Sequence, residues 1–290
     1  MFAGIAGTLL TPACAAVTED DTAVASSRPA AGAEYSYGPD RLQKLDFWRA
    51  PQASPAPLVV FVHGGAWQHG DKQSATGPHE VAHLAEKGYA YASINYRLVP
   101  AATVEQQAAD IASALAWLRA NAARLGIDAS RIVLMGHSAG AHLVALVGTD
   151  PHYLGDAGMT LSAVRGVIAL DGAAYDAPLQ IRQARRFMSA SYIAAFGSDP
   201  LRQQALSPTF HAAAPNAPAF LLIHINRADG KAQSDALAAA LANAGTAAEV
   251  FATDETGLRG HRELNKSLGR PDFPATAVVD RWLSKVVPAN

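Results

Sequence analysis

The chain has 290 residues, 50% of them hydrophobic, with 23 Gly, 17 Pro and a formal net charge of -2. That composition suits a sizeable core with many loops and excludes a disordered or fibrous chain. The balance of 23 basic against 25 acidic residues, with no long basic run, speaks against an electrostatic nucleic-acid binder, and the single cysteine, Cys14, excludes an internal disulfide and a cysteine-based zinc cluster.

Residues 1–17 (MFAGIAGTLLTPACAAV) are apolar and small and carry no side-chain charge. They end in Ala13-Cys14-Ala15-Ala16, which fits the small-residue rule for signal-peptidase cleavage, although the usual basic start is missing. The expectation is export, to a secreted or periplasmic location. The bland alternative is an unstructured extension on a cytoplasmic protein. Residues 18–33, rich in Ala and Ser, read as a linker, and residues 34–290 as one folded domain. Past the first segment no apolar stretch is long enough to predict a membrane span.

From residue 34 the pattern alternates. Glu34–Tyr37 and Leu42–Trp48 suggest an antiparallel hairpin around Gly38-Pro39. Short continuous apolar runs follow at Leu58–Val62, Tyr89–Ile94, Arg131–Met135, Val167–Leu170, Phe220–Ile225 and Ala248–Phe251. Such runs suit strands buried on both faces of a parallel sheet. Helical periodicity separates them at Val81–Lys87, Thr103–Leu125, Ala139–Val147, Ser234–Ala244 and Ala275–Val287. The predicted class is α/β, a doubly wound and mostly parallel sheet with helices on both faces. Residues 172–215 break the rhythm and predict a small helical cap over the carboxyl edge of the strands, where such sheets bind ligands.

The third of those runs leads into Gly136-His137-Ser138-Ala139-Gly140 and then a helix. This G-x-S-x-G pattern in a strand–turn–helix context marks Ser138 as a candidate nucleophile, with glycine two residues to either side relieving crowding at a sharp turn. The competing reading makes Ser138 an ordinary helix cap. His63-Gly64-Gly65-Ala66-Trp67 ends the first parallel strand, and Asn95-Tyr96-Arg97-Leu98 with Pro100 follows the next. Together the three motifs, in this order, resemble the α/β-hydrolase fold in its carboxylesterase branch, which includes hormone-sensitive-lipase-like esterases, feruloyl-type esterases and kynurenine formamidases. The resemblance covers roughly residues 40–288.

The resemblance implies an oxyanion hole built from the backbone N–H of Ala139 and those of Gly65 and Ala66, with Gly64 shaping the turn. Gly64, Trp67 and His137 are expected at the substrate surface. Trp67 is read equally as an acyl-pocket wall and as packing, as are Tyr192, Phe196 and Phe210. In this fold the order along the chain is serine, acid, histidine. His261 is the only histidine after Phe251 and is the expected base, in a loop ahead of the last helix. Asp229, the only carboxylate in the loop after Ile225, is the expected acid, with Asp254 and Glu255 as rivals. Asp171 and Asp199 lie earlier and read as residues that cap or position local loops.

The expected reaction is hydrolysis of a small carboxylic ester, of short or aromatic acyl type including feruloyl-type, through an acyl-enzyme on Ser138. It needs no metal or organic cofactor and no nucleic-acid partner, and nothing in the sequence signals an oligomeric state. Three readings compete: an arylformamidase acting on N-formylkynurenine, a peptidase, and a hydrolase fold without catalysis used for binding.

Overall fold

The computed structural model describes residue 1 and residues 32–51, 55–184 and 186–289. Apart from Met1, the apolar segment 1–17 lies outside the described residues, as does the linker up to residue 31. Among the described residues no helix is long and apolar enough to cross a membrane.

Among the described residues, eight strands form one sheet: β1 (Ala33–Ser36), β2 (Lys44–Trp48), β3 (Ala56–Val62), β4 (Ala90–Ile94), β5 (Ile127–His137), β6 (Gly166–Leu170), β7 (Ala219–His224) and β8 (Ala247–Ala252). Their order is β1-β2-β4-β3-β5-β6-β7-β8. β1 and β2 make the expected hairpin, β2 runs antiparallel to β4, and every other pair is parallel. The principal helices are α1 (Glu80–Glu86), α2 (Val104–Ala120), α3 (Ala139–Thr149), α4 (Ala177–Gln183), α5 (Arg186–Phe196), α6 (Ala228–Asn243), α7 (Gly257–Ser267) and α8 (Pro274–Val286).

The continuous apolar runs are explained by burial on both faces. Successive side chains of a strand point to opposite sides. Leu58, Val60 and Val62 of β3 join one core with Ile111 and Leu115 of α2, Leu143 and Val147 of α3, and Leu237 of α6. Val59 and Phe61 join the other, with Leu84 of α1, Leu264 of α7 and Val279, Trp282 and Leu283 of α8. Each such side chain, fully buried, contributes about 1.5–3 kcal/mol. β8, at the sheet edge, is half exposed.

Several boundaries differ from the sequence expectation. The helix expected over Thr103–Leu125 carries a capping box at Thr103 and Gln106, but α2 ends at Ala120; one further turn, Ala122–Leu125, stops at left-handed Gly126. α6 starts at Ala228, six residues before Ser234, and α7 occupies a stretch expected to be loop. Gly257, Gly260 and Gly269 look like loop punctuation, yet Gly257 lies at the helix start, Gly269 beyond its end, and Gly260 is a buried position inside it. The cap is present: α4, α5 and two short helices (Pro200–Ala205, Pro208–His211) lie between β6 and β7.

Candidate active site

The site gathers at the carboxyl ends of β3, β5, β6 and β7. β5 ends at His137, and α3 begins at Ala139. Between them Ser138 has φ 57° and ψ −118°, a strained backbone for a residue with a side chain. The glycines make the bend possible. A Cβ on Gly136 would stand 2.3 Å from the Gly140 carbonyl oxygen, and one on Gly140 would stand 2.1 Å from the Val62 carbonyl oxygen. The Ser138 amide donates to the Leu170 carbonyl at 2.9 Å, which ties the bend to the end of β6.

The loop after β3 lies against this bend. A Cβ on Gly64 would come within 2.9 Å of the Ser138 Cβ. Gly65 (φ 121°), Ala66 (φ 52°) and Trp67 (φ 62°) all have positive φ. The loop is pinned at several points: Gln68 and His69 amides donate to the Gly65 carbonyl, and the Trp67 carbonyl accepts from Val99 N at 3.0 Å and Gln107 Nε2 at 2.8 Å. His63 stacks on Tyr96 with ring centroids 4.3 Å apart, and the Tyr96 hydroxyl donates to the His63 carbonyl at 2.9 Å. Burial holds the His63 imidazole below its usual basicity. Gly64 therefore packs against Ser138, with Gly65 and Ala66 next to it in the same pinned loop, and Ala139 follows Ser138 at the start of α3.

His261 lies in α7 rather than in a loop. The His137 and His261 ring centroids are 4.4 Å apart, and His137 Nε2 donates to the His261 carbonyl at 2.9 Å. Burial, then the neighbouring His261, pushes the His137 imidazole down to about 3, so it is neutral and its Nε2–H is a fixed donor. The residue expected at the substrate surface thus holds the backbone of the candidate base.

The carboxylate that meets His261 is not the expected Asp229. His261 Nδ1 pairs with Asp171 Oδ2 at 2.6 Å. Asp229 lies in the first turn of α6, where a carboxylate suits the helix N-terminus. It accepts from Arg227 Nη1 at 2.7 Å and Gln180 Nε2 at 3.4 Å. Asp254 is exposed, and the Glu255 carbonyl serves the Asn226 amide. Asp199 caps a short helix, as expected. The physical reason is register. Leu170 of β6 pairs with His137 of β5, so Asp171 emerges one strand spacing, about 4.8 Å, from the nucleophile turn, whereas the loop after β7 is two spacings away.

Asp171 is completely buried. Its Oδ1 accepts from Arg227 Nε at 3.0 Å and the Ile225 amide at 3.3 Å. Burial pushes the carboxyl up, but the hydrogen bond from His261 and the Arg227 guanidinium outweigh it and hold the group below its ordinary range. It is an anion at neutral pH. Arg227 was not foreseen; its position just past an apolar strand was the available signal.

Trp67 is 2% exposed and works as packing. Its ring meets Phe196 at 4.8 Å, His142 at 5.4 Å and Tyr192 at 5.9 Å. Its Nε1 donates to His142 Nδ1 at 3.3 Å, while His142 Nε2 donates to the Leu206 carbonyl at 2.8 Å. Burial lowers His142 to about 4, and the neutral tautomer matches both bonds. Phe210 is exposed and takes no part in that cluster.

A model of the BD-FAE family matches residues 45–241. Esterase LipC of Mycobacterium tuberculosis is 41% identical over 122 residues, 40% of this chain and 30% of LipC. Kynurenine formamidase of Drosophila melanogaster is 35% identical over 121 residues, 41% of this chain and 38% of that enzyme. The matched stretch thus spans well under half of either relative. Among solved structures, Thermogutta terrifontis esterase 2 phosphonylated by sarin superposes with a TM-score of 0.72 at 24% identity, covering 90% of this chain and 97% of that one. That likeness is one of fold.

Proposed function

Because the chain belongs to the BD-FAE family, we propose that it hydrolyses small carboxylic esters by acyl transfer to Ser138. His261 is the base, Asp171 the acid, and the N–H groups of Ala139, Gly65 and Ala66 form the oxyanion hole. The observation that carries this reading is the 2.6 Å contact of Asp171 Oδ2 with His261 Nδ1, close to the strained Ser138 turn.

His261 takes the hydroxyl proton of Ser138 as the oxygen attacks the ester carbonyl. The new oxyanion is stabilised by backbone N–H groups, each contributing on the order of 3 kcal/mol. The tetrahedral adduct collapses with cleavage of the ester C–O bond, and the imidazolium gives its proton to the leaving alkoxide. Water, deprotonated by His261, then attacks the acyl-enzyme; Ser138 leaves with that proton and the carboxylic acid departs. Buried Asp171 holds the Nδ1–H tautomer and stabilises the imidazolium.

Ser138→Ala is expected to abolish p-nitrophenyl acetate hydrolysis and fluorophosphonate labelling; retained turnover would sink the assignment. A second reading, cleavage of an aryl formamide, draws on the likeness to kynurenine formamidase. Side-by-side turnover of p-nitrophenyl acetate and N-formylkynurenine separates the two.

A further inference from the structure

Behind the imidazole stands a series of alternating charges that ester hydrolysis does not by itself require. Arg227 follows β7 and spends its guanidinium on three acceptors. Nε donates to Asp171 Oδ1 at 3.0 Å, Nη1 to Asp229 Oδ2 at 2.7 Å, and Nη2 to the Gly172 carbonyl at 2.8 Å. The other Asp171 oxygen faces His261. Each carboxylate oxygen of the buried acid thus has its own charged or ionisable partner. Exposure rises along the series: Asp171 side chain 0%, Arg227 24%, Asp229 41%. The order from the base outward is imidazole, anion, cation, anion.

A lone carboxylate strengthens the hold of a paired imidazole on its proton. A guanidinium fixed on the far oxygen cancels part of that field, and an anion beyond it restores some of what was cancelled. Such terms are large where water is excluded. The guanidinium fork also sets the plane of the carboxylate, so that Oδ2 aims at Nδ1.

We infer that Arg227 is a positioning residue that acts through Asp171 to set the working pH of the His261 base, with Asp229 as its counter-charge. This rests on the reading of Asp171 and His261 as acid and base.

The other titratable groups around the Asp171–His261 pair do not compete for this role. His137, from the end of β5, is neutral through the working range. Tyr175 and Tyr192, on the cap side, have their phenols pushed up by burial, Tyr192 to about 12, and remain neutral. Arg259 and Arg262, in α7, are exposed, where solvent screens them, Glu263 is half-buried and accepts from the Ser267 hydroxyl, and Glu255, whose Oε2 is buried, packs its Cβ against Gly260 of α7 and is the same in every variant compared.

The sign follows from electrostatics. Removing a cation raises the proton affinity of the Asp171–His261 pair, whichever member carries the proton. Arg227→Met should move the acidic limb of the kcat/KM–pH profile to higher pH by about one unit. Asp229→Asn leaves the guanidinium uncompensated and should move the limb to lower pH by about half a unit. Arg227→Lys keeps the charge and loses the fork, so the limb should stay near wild type while kcat falls. The experiment is the kcat/KM–pH profile of these three variants and wild type with p-nitrophenyl acetate, with folding followed by circular dichroism. Opposite shifts for Arg227→Met and Asp229→Asn support the inference; unmoved limbs, with only kcat or stability reduced, overturn it. Should Arg227→Met fail to fold, Asp229→Asn, at the exposed end, decides the sign alone. Undiminished activity in Asp171→Asn is a different result, and it strikes the reading beneath.

Discussion

The amide of Ser138 donates to the carbonyl of Leu170 at 2.9 Å, and the first residue past the end of β6, Asp171, is the carboxylate that meets His261. A single backbone hydrogen bond therefore places the candidate nucleophile and its acid side by side, before any side chain is oriented.

Asp171→Asn is expected to lower kcat about ten-thousand-fold, because an amide favours the wrong imidazole tautomer. Asp254→Asn should leave kcat unchanged, since that side chain is exposed and the imidazole already has its partner. Steady-state rates on p-nitrophenyl acetate check both. A loss in Asp254→Asn with activity kept in Asp171→Asn would reverse the assignment.

His137→Phe keeps a ring against His261 but removes the donor to its carbonyl. A misplacement of about 1 Å at a reacting group costs up to about a hundredfold in rate. The expected outcome is a kcat lowered by about ten- to a hundredfold with KM little changed, and equal losses in both parameters would contradict it.

Gly140→Ala should destabilise the fold by about 3 kcal/mol, since overpacking at a backbone contact has no flexible neighbour to absorb it. The added methyl would meet the Val62 carbonyl oxygen at 2.1 Å and that of His63 at 2.6 Å. Urea unfolding measures the difference, and a wild-type midpoint would show that the bend has room.

Glu80, at the start of α1, is 1% exposed, and burial pushes its carboxyl up to about 8 from the usual 4.5. Its backbone partner is the Gly77 amide at 3.4 Å. Between those two pH values the unfolded chain has released this proton while the folded chain keeps it, so stability falls as pH rises through the window. Glu80→Gln should remove that slope, leaving the variant more stable than wild type by a few kcal/mol near pH 8 and equal to it below about pH 4.5. Denaturant titrations across that range would show parallel curves if the carboxyl were ionised in the fold.

The sheet and the nucleophile turn were legible because their causes are local. Continuous apolar runs announce strands covered on both faces, and the spacing of Gly136 and Gly140 around Ser138 reflects contacts closer than any side chain allows. His261 was legible from chain order alone. The acid was not: Asp171 and Asp229 both fall between the serine and the histidine, and only the pairing of Leu170 with His137 separates them. α7 was hidden because its glycines resemble loop punctuation, and the role of His137 depends on a carbonyl 124 residues away. Trp67 was evenly balanced between wall and packing, and what decided it was the company of Phe196 and Tyr192, contributed by a cap helix whose position no local pattern reveals.

His142 grips the indole of the loop after β3 with one nitrogen and the backbone of the cap with the other, from the second turn of the helix that Ser138 opens. One ring is thus a shared rivet for the loop after β3, the cap and the helix behind the candidate nucleophile. A change that makes room for a larger guest by loosening any of them also slackens the other two, so in this architecture tolerance for bulk and sharpness of alignment must be traded against each other.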